Sequence, residues 1–376
     1  MIIIFASIVT VILALIHFVI FKVVVSIFAL TTTWRIVVGT ILGILGLSFV
    51  VASVSAFFLD NGFSRVFYTF SASWLGYATY LFLASCLYAL VLLVVRFVDT
   101  NNLEVIRITH WLGIICLAFA VIAGTYGLIH ARAIIIKTVN ITLPSLLGAP
   151  QLPLDWRGRK VVWISDIHLG AVRGKSFAQE VVSKINEINP DLVFVGGDLF
   201  DGVKVNENEV VKPFAELHPT LGAYFITGNH EEFRDNSLFL QAVKNVGIHV
   251  LNNEMVVIDG VQIIGVDDRD STNPLKFQSI LTSLGINKYE PSILLKHQPS
   301  GLDIAEKAGI SLQISGHTHR AQIWPLNFFA SWIFKGYEYG LKNFGNMQVY
   351  TSSGVGTWGP PMRVGSDSEI VVLEFK

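Results

Sequence analysis

Five short runs hold most of the side chains able to do acid–base or metal chemistry. They are Ser165-Asp166-Ile167-His168, Gly197-Asp198-Leu199-Phe200-Asp201-Gly202, Gly228-Asn229-His230-Glu231, Lys296-His297-Gln298-Pro299 and Gly316-His317-Thr318-His319. One Asp-x-His or His-x-His alone would be compatible with a surface turn. Five such elements, each just after a short apolar run, point to a site assembled at one edge of a sheet. Carboxylates mixed with neutral imidazoles suit first-row divalent ions such as Mn²⁺, Fe or Zn²⁺, whereas an all-oxygen set would point to Ca²⁺ or Mg²⁺. Two metal ions need a bridging group, and Asp198 can present one oxygen to each. Such a pair, ~3.5 to 4 Å apart, polarises a phosphoryl oxygen and lowers the pKa of a bound water, which is the chemistry of phosphoester hydrolysis.

These loops must be held by something, and the flanking pattern is that of an α/β core. Residues 161–164, 192–195, 224–226, 293–295 and 312–314 are expected as buried strands, and 177–186, 207–217, 238–246 and 302–307 carry helical spacing. Alternation of the two predicts an α/β domain. Asp259-Gly260 between apolar runs predicts a two-residue hairpin turn. Segments 348–351 and 370–375 are expected as further strands near the end.

The first third of the chain has a different composition. Of 376 residues, 52% are hydrophobic and 15% charged, yet residues 1–130 hold only 5 Lys/Arg and 3 Asp/Glu against 22 and 25 in the remainder. Stretches 1–21, 36–59, 66–95 and 108–131 contain no Asp, Glu, Lys or Arg. About 20 apolar residues cross a ~30 Å hydrocarbon layer, so a multi-pass α-helical anchor of four spans is predicted. The first stretch lacks a basic leader region and a clear small-x-small cleavage site, and is expected to remain as an anchor. Gly39, Gly43, Gly46, Gly113, Ala118 and Ala120 offer small faces for helix packing. His17, lying alone in the first span, reads as a hydrogen-bonded packing residue. Both cysteines, Cys86 and Cys116, fall in spans, so no disulfide is expected in the remainder. Lys22, Arg35, Arg96 and Arg107 flank the spans on one side and Arg65, Arg132 and Lys137 on the other. Four against three leans only weakly toward an external C-terminal domain of a cell-membrane protein. The expected division is 1–131 as the transmembrane region, 132–154 as an edge strand and linker marked by Pro144, Gly148, Pro150 and Pro153, and 155–376 as the α/β domain.

The ordered set Asp-x-His, Gly-Asp-x-x-Asp-Gly, Gly-Asn-His-Glu, a lone His and Gly-His-x-His resembles the calcineurin-like metallophosphoesterase superfamily over roughly residues 155–376, above all its membrane-associated bacterial YkuE-like or YaeI-like branch. The resemblance implies a two-sheet β-sandwich flanked by helices. It also implies that Asp166, His168 and His319 bind one metal ion, that Asn229, His297 and His317 bind the other, and that Asp198 bridges them. His230 matches the histidine that contacts the phosphate and protonates the leaving oxygen, and Asp201 matches its usual carboxylate partner. Glu231 is expected to support the site from behind. Arg363 closes the segment Gly354-Val355-Gly356-Thr357-Trp358-Gly359-Pro360-Pro361-Met362-Arg363, which that branch shares in form, and is a candidate for meeting a phosphate oxygen. Arg320 and Ala321 depart from the branch's common Gly-Gly pair, which changes the shape of the substrate cleft.

The substrate is less directly written. Segment 323–337 carries two Trp and three Phe with a single charge, and is expected either to dip toward lipid or to fill the domain's own core. If it faces lipid, an amphiphilic phosphorylated substrate follows, such as a lipid-linked phosphodiester or pyrophosphate. Nucleic acid is not expected as a partner, because 22 basic and 25 acidic residues after position 130 leave no basic footprint. Two other readings remain: a phosphodiesterase for soluble nucleotides, and a non-catalytic metal-binding sensor or transport element.

Overall fold

The structure is a computed structural model and describes residues 2–95, 97, 103–142, 152–233 and 235–376. Arg96 of the charge balance, and Pro144, Gly148 and Pro150 of the connecting stretch, lie outside the described residues. The chain forms two compact units, Met1–His130 with Gly359–Met362, and Ala131–Trp358 with Arg363–Lys376.

In the first unit, α1 (Ile2–Ile27), α2 (Thr32–Phe58), α3 (Gly62–Val95) and α4 (Leu103–His130) are each long and apolar enough to cross a membrane. Many buried positions on α2, α3 and α4 are small or polar: Ser48, Ala52 and Ala56 on α2, Ser71, Ala72 and Gly76 on α3, and Gly113, Ala120 and Gly124 on α4. Many of the large apolar side chains, such as Ile44, Leu47, Phe70, Leu90 and Ile122, point outward, while Leu13, Ile20, Ile27 and Leu42 are buried between helices. Small residues let backbones approach, and the apolar exterior suits lipid rather than water. Gly39 and Gly46 meet Phe21 and His17 as expected of packing positions, whereas Gly43 faces open space.

The described residues of the second unit contain twelve strands: β1 (Ile134–Ile141), β2 (Lys160–Ile164), β3 (Leu192–Val195), β4 (Ala223–Phe225), β5 (His249–Val250), β6 (Glu254–Ile258), β7 (Val261–Gly265), β8 (Ser292–Leu295), β9 (Leu312–Ser315), β10 (Gly340–Phe344), β11 (Met347–Thr351) and β12 (Ser368–Phe375). They form two six-stranded sheets, ordered β1-β12-β2-β3-β4-β5 and β10-β11-β9-β8-β7-β6. The helices are α5 (Lys175–Ile188), α6 (Glu207–Val211), α7 (Ser237–Asn245), α8 (Asp268–Ser271), α9 (Pro274–Ser283), α10 (Leu302–Lys307) and α11 (Asn327–Ile333). The expected helix over 207–217 tightens to a 3-10 turn at Lys212–Glu216, because Pro213 lacks an amide proton and crowds the preceding turn.

Strand side chains alternate between two cores. Val161 and Trp163 of β2, Phe194 of β3 and Leu373 of β12 meet Ile263 of β7, Ile293 of β8 and Ile314 of β9 between the sheets. Val162, Ile164 and Val195 point the other way, onto Val181 and Ile185 of α5 and Phe239 of α7. Leu294 and Ile264 likewise pack on Phe277 and Leu281 of α9. Each central strand is therefore covered on both faces, which is why its sequence is an unbroken apolar run. β2, β3 and β4 are parallel, as are β7, β8 and β9, so their carboxyl ends share one edge in each sheet. The five polar runs emerge there.

Candidate metal centre

Each strand end delivers one or two of the expected ligands. Asp166 and His168 follow β2, Asp198 follows β3, Asn229 follows β4, His297 follows β8, and His317 and His319 follow β9. Asp166, His168, Asp198, Asn229, His297, His317 and His319 converge, although the chain positions span 166 to 319. Asp166, His168 and His319 form one group whose donor atoms lie within 4.8 Å of one another, and Asp198, His297 and His317 form another. His168 Nε2 is 3.0 Å from His319 Nε2, and His319 Nε2 is 3.5 Å from Asp166 Oδ1. Asn229 Oδ1 stands 2.8 Å from His317 Nδ1 and 3.2 Å from His297 Nε2.

Asp198 stands between the two groups. Its Oδ1 accepts the backbone N–H of His230 at 2.8 Å, which leaves Oδ2 to face His297 Nε2 at 3.2 Å and His168 Nε2 at 3.8 Å. The backbone also contributes: Asp166, His168, Asp198, His317 and His319 all have positive φ, between 49° and 68°. Such conformations are uncommon outside glycine and gather where a site imposes them. Gly228 and Gly316 are needed for close approach, since a Cβ on Gly228 would strike Asp198 and one on Gly316 would strike Ser165 and Asp166.

The donor set fits divalent cations. His297 Nδ1 donates to the Gly196 carbonyl at 2.8 Å, so in the neutral ring Nε2 carries a bare lone pair. In that form it would face Asp198 Oδ2 and Asn229 Oδ1, a carboxylate and an amide oxygen that are themselves acceptors. Converging lone pairs need an electrophile, and a cation serves all of them at once. For His317 and His319 the electrostatics point the same way. Burial and the neighbouring His297 push His317 down to about 3, and burial with His168 holds His319 well below the usual imidazole range, so both are neutral and ligand-competent. Burial opposes charge on Asp198, yet His297 and His230 hold it well below the usual carboxylate range. His297 and His168 are instead raised despite their burial, His297 chiefly by Asp198 and His168 chiefly by Asp201, so a cation arriving there would displace protons.

Glu231 is fully buried and accepts the backbone N–H groups of Asp198, Phe200 and Gly228 at 2.9, 2.9 and 2.8 Å. One carboxylate thus ties the bridging loop to the Asn229 loop. Burial, reinforced by Asp198, pushes its pKa up to about 8. Ser165 donates to Asp166 Oδ2 at 2.5 Å, a support that the sequence reading missed because a serine before an aspartate carries no pattern of its own.

His230 lies beside the centre, its ring centroid 4.7 Å from that of His168. Its Nδ1 donates to the backbone carbonyl of Asp201 at 3.0 Å, which directs Nε2 away from that loop. The Asp201 carboxylate is 3.9 Å from His230 Nδ1 but 3.4 Å from His168 Nδ1, so it stands closer to a candidate ligand than to the candidate acid. Burial holds His230 below its usual pKa against the pull of Asp198.

Arg363 departs from its expected place. It is fully buried, and its guanidinium donates to the carbonyls of Ser353, Gly354, Gly356 and His319 and to Ser366. The segment before it supplies so many inward-pointing carbonyls that both terminal nitrogens are taken up in bracing them, and only the buried Nε is left without a hydrogen-bond partner. Arg320 instead lies over the Tyr339 ring at 4.4 Å. The aromatic segment 323–337 does not fill the core: Trp324, Phe328, Phe329 and Trp332 are 50%, 67%, 61% and 74% exposed. It reaches the centre at Phe334, whose ring lies 6.0 Å from that of His317.

A two-sheet sandwich with this donor set at its strand ends defines a metallophosphoesterase domain. Residues 159–321 match the calcineurin-like phosphoesterase family, and the chain carries a domain of that family. It is similar to a transmembrane protein with metallophosphoesterase domain from Danio rerio, at 33% identity over 70% of this chain and 62% of that protein. An uncharacterized metallophosphoesterase from Helicobacter pylori shares 32% identity over 57% of this chain and 59% of its own length. The uncharacterized metallophosphoesterase YkuE from Bacillus subtilis shares 29% identity over 67% of this chain and 90% of its own. The chain thus spans about three fifths of the length of the first two relatives.

Proposed function

We propose that this protein is a membrane-bound phosphoesterase that hydrolyses a phosphodiester or pyrophosphate with two divalent metal ions. The observation that carries the reading is Asp198, whose one oxygen is tied to the His230 backbone while the other faces ligand groups on both sides. Asp166, His168 and His319 would hold one ion, Asn229, His297 and His317 the other, with Asp198 shared. When bound, such a pair supplies Lewis acidity toward a phosphoryl oxygen and an activated water. Mn²⁺, Fe and Zn²⁺ all suit the donors. His230 holds a proton at Nε2 for the leaving oxygen, taking it up as the anionic substrate arrives, and the Asp201 carbonyl fixes its orientation. A sensor would have no use for an acid in this place. Purified full chain stripped of metal and refilled with Mn²⁺ is expected to hydrolyse bis(p-nitrophenyl) phosphate; no turnover with any of the three metals refutes the reading.

The substrate we infer is lipid-linked. Exposed Trp324, Phe328, Phe329 and Trp332 favour this, because each large apolar side chain removed from water contributes about 1.5 to 3 kcal/mol. The four spans keep a bilayer within the chain's surroundings, and Phe334 joins the aromatic segment to His317. Replacing Phe328, Phe329 and Trp332 together by Ser should lower kcat/KM about 10-fold or more toward a phosphodiester presented in vesicles, while a soluble aryl phosphodiester is turned over as before. Equal effects on both would remove lipid from the reading and favour soluble nucleotides.

A further inference from the structure

Two aromatic side chains to which the sequence assigns no role stand beside the candidate acid. The Phe233 ring centroid lies 4.5 Å from that of His230, and the Trp358 centroid 5.6 Å. Both side chains are more than half exposed, at 59% and 52%, where a packing role would have buried them. Their backbones, in contrast, are fixed. Phe233 closes the 3-10 turn Glu231–Phe233, which is rooted by the three hydrogen bonds to Glu231. Trp358 is gripped at both backbone atoms by one side chain: its N–H donates to Gln322 Oε1 at 3.0 Å and its carbonyl accepts from Gln322 Nε2 at 3.2 Å. Gln322 is buried and lies three residues beyond His319, and Arg363 braces the loop that leads to Trp358. The rings are thus displayed to solvent from rigid supports, each beside the same imidazole.

We propose that Phe233 and Trp358 form a subsite for a leaving group that carries a planar ring, such as an aryl alcohol or a nucleotide. The inference rests on the phosphoesterase reading, because the group that takes the proton from His230 is bonded to the leaving oxygen and must extend past that imidazole. The two rings are what it meets there. In the hydrolysis, a water oxygen bonds to phosphorus as the bond from phosphorus to the leaving oxygen breaks. The electron pair stays on the leaving oxygen, which receives the His230 proton, and the attacking water gives up a proton to solvent. Aromatic groups attract one another in offset or edge-to-face arrangements with centroids about 4.5 to 7 Å apart, each pair worth about 0.5 to 1.5 kcal/mol beyond area. An acyl chain or a small polyol gains area alone. The second substituent on phosphorus is left to the neighbourhood of His317, where Phe334 stands.

Phenylphosphonate and ethylphosphonate test this, since their P–C bond resists hydrolysis and places a ring or an ethyl group where the leaving group would sit. Titrated calorimetrically into the full chain in detergent with Mn²⁺ bound, the unaltered protein should prefer the phenyl ligand by about 10-fold. Phe233→Leu and Trp358→Leu should each cut that preference by about 3-fold and together abolish it, with ethylphosphonate affinity held within about 2-fold. Equal affinity for the two ligands in the unaltered protein overturns the subsite, as does a preference that survives the double substitution. Parallel loss of both ligands at normal metal content also overturns it, by assigning the rings a structural role. Turnover of methyl p-nitrophenyl phosphate by the same preparation is read separately: its absence, with the ring preference intact, removes the hydrolase and keeps the subsite as a binding site.

Discussion

Buried histidines in the two units are used in opposite ways. In the membrane unit, His17 donates from Nδ1 to the Leu13 carbonyl at 2.8 Å and accepts at Nε2 from Trp74 Nε1 at 2.9 Å. Both ring nitrogens are satisfied by groups of matching sense, so one neutral tautomer is fixed and nothing further is called for. In the α/β unit, His168 faces His319 at 3.0 Å, and His297 faces an amide oxygen and a carboxylate. Nδ1 of His319 has no hydrogen-bond partner among the described residues, and Nδ1 of His168 has only the Asp201 carboxylate near it, at 3.4 Å. Burial is common to both places. What separates a packing histidine from a ligand is whether its partners can share its protons.

Substitutions can break or sharpen this contrast. Asp198→Asn removes the oxygen common to both groups, and it is expected to lower metal affinity by more than about 100-fold and to abolish turnover, since outer supports alone are worth 10- to 100-fold. Metal content by plasma spectrometry decides it, and full occupancy in that variant would dissolve the distinction. His230→Ala should keep both ions and lose about 10²- to 10⁴-fold in kcat; a loss of metal would move His230 among the ligands. Arg363→Met strands several buried carbonyls and should cost about 3 kcal/mol, seen as a lower Tm with weakened metal binding through the His319 carbonyl. The smallest change is expected from His17→Leu, which forfeits two satisfied hydrogen bonds for about 1 kcal/mol and leaves metal content and turnover unchanged. A turnover defect there would show that the membrane histidine is no mere packing group.

Much of this architecture is legible in the chain because its strong signals are local. Charge-free stretches predict the four helices, and doubly covered strands such as β2, β3, β8 and β9 appear as unbroken apolar runs. Helix α9 escapes the reading because Pro274 suggests a break where it actually occupies the first helical turn, with Asn273 capping from outside. Strands β5 and β10 are too short or too exposed to carry a pattern. At the site, the ligand types and order are visible, whereas their supports are long-range. Nothing near Arg363 announces that the carbonyls of Ser353 to Gly356 will fold around it. Gln322, Phe233 and Trp358 matter through contacts that no spacing encodes.

The left-handed backbone at Asp166, His168, Asp198, His317 and His319 bears on attempts to alter which metal this protein prefers. Aspartate, asparagine and histidine are the residue types that adopt that conformation most readily after glycine. Donor chemistry and chain geometry thus select the same short alphabet at these positions. Installing a thiolate at His168, to favour softer ions, would meet a penalty from the main chain before any cation arrived. Redesign of selectivity has freer scope at Asn229 and His297, which do not have positive φ.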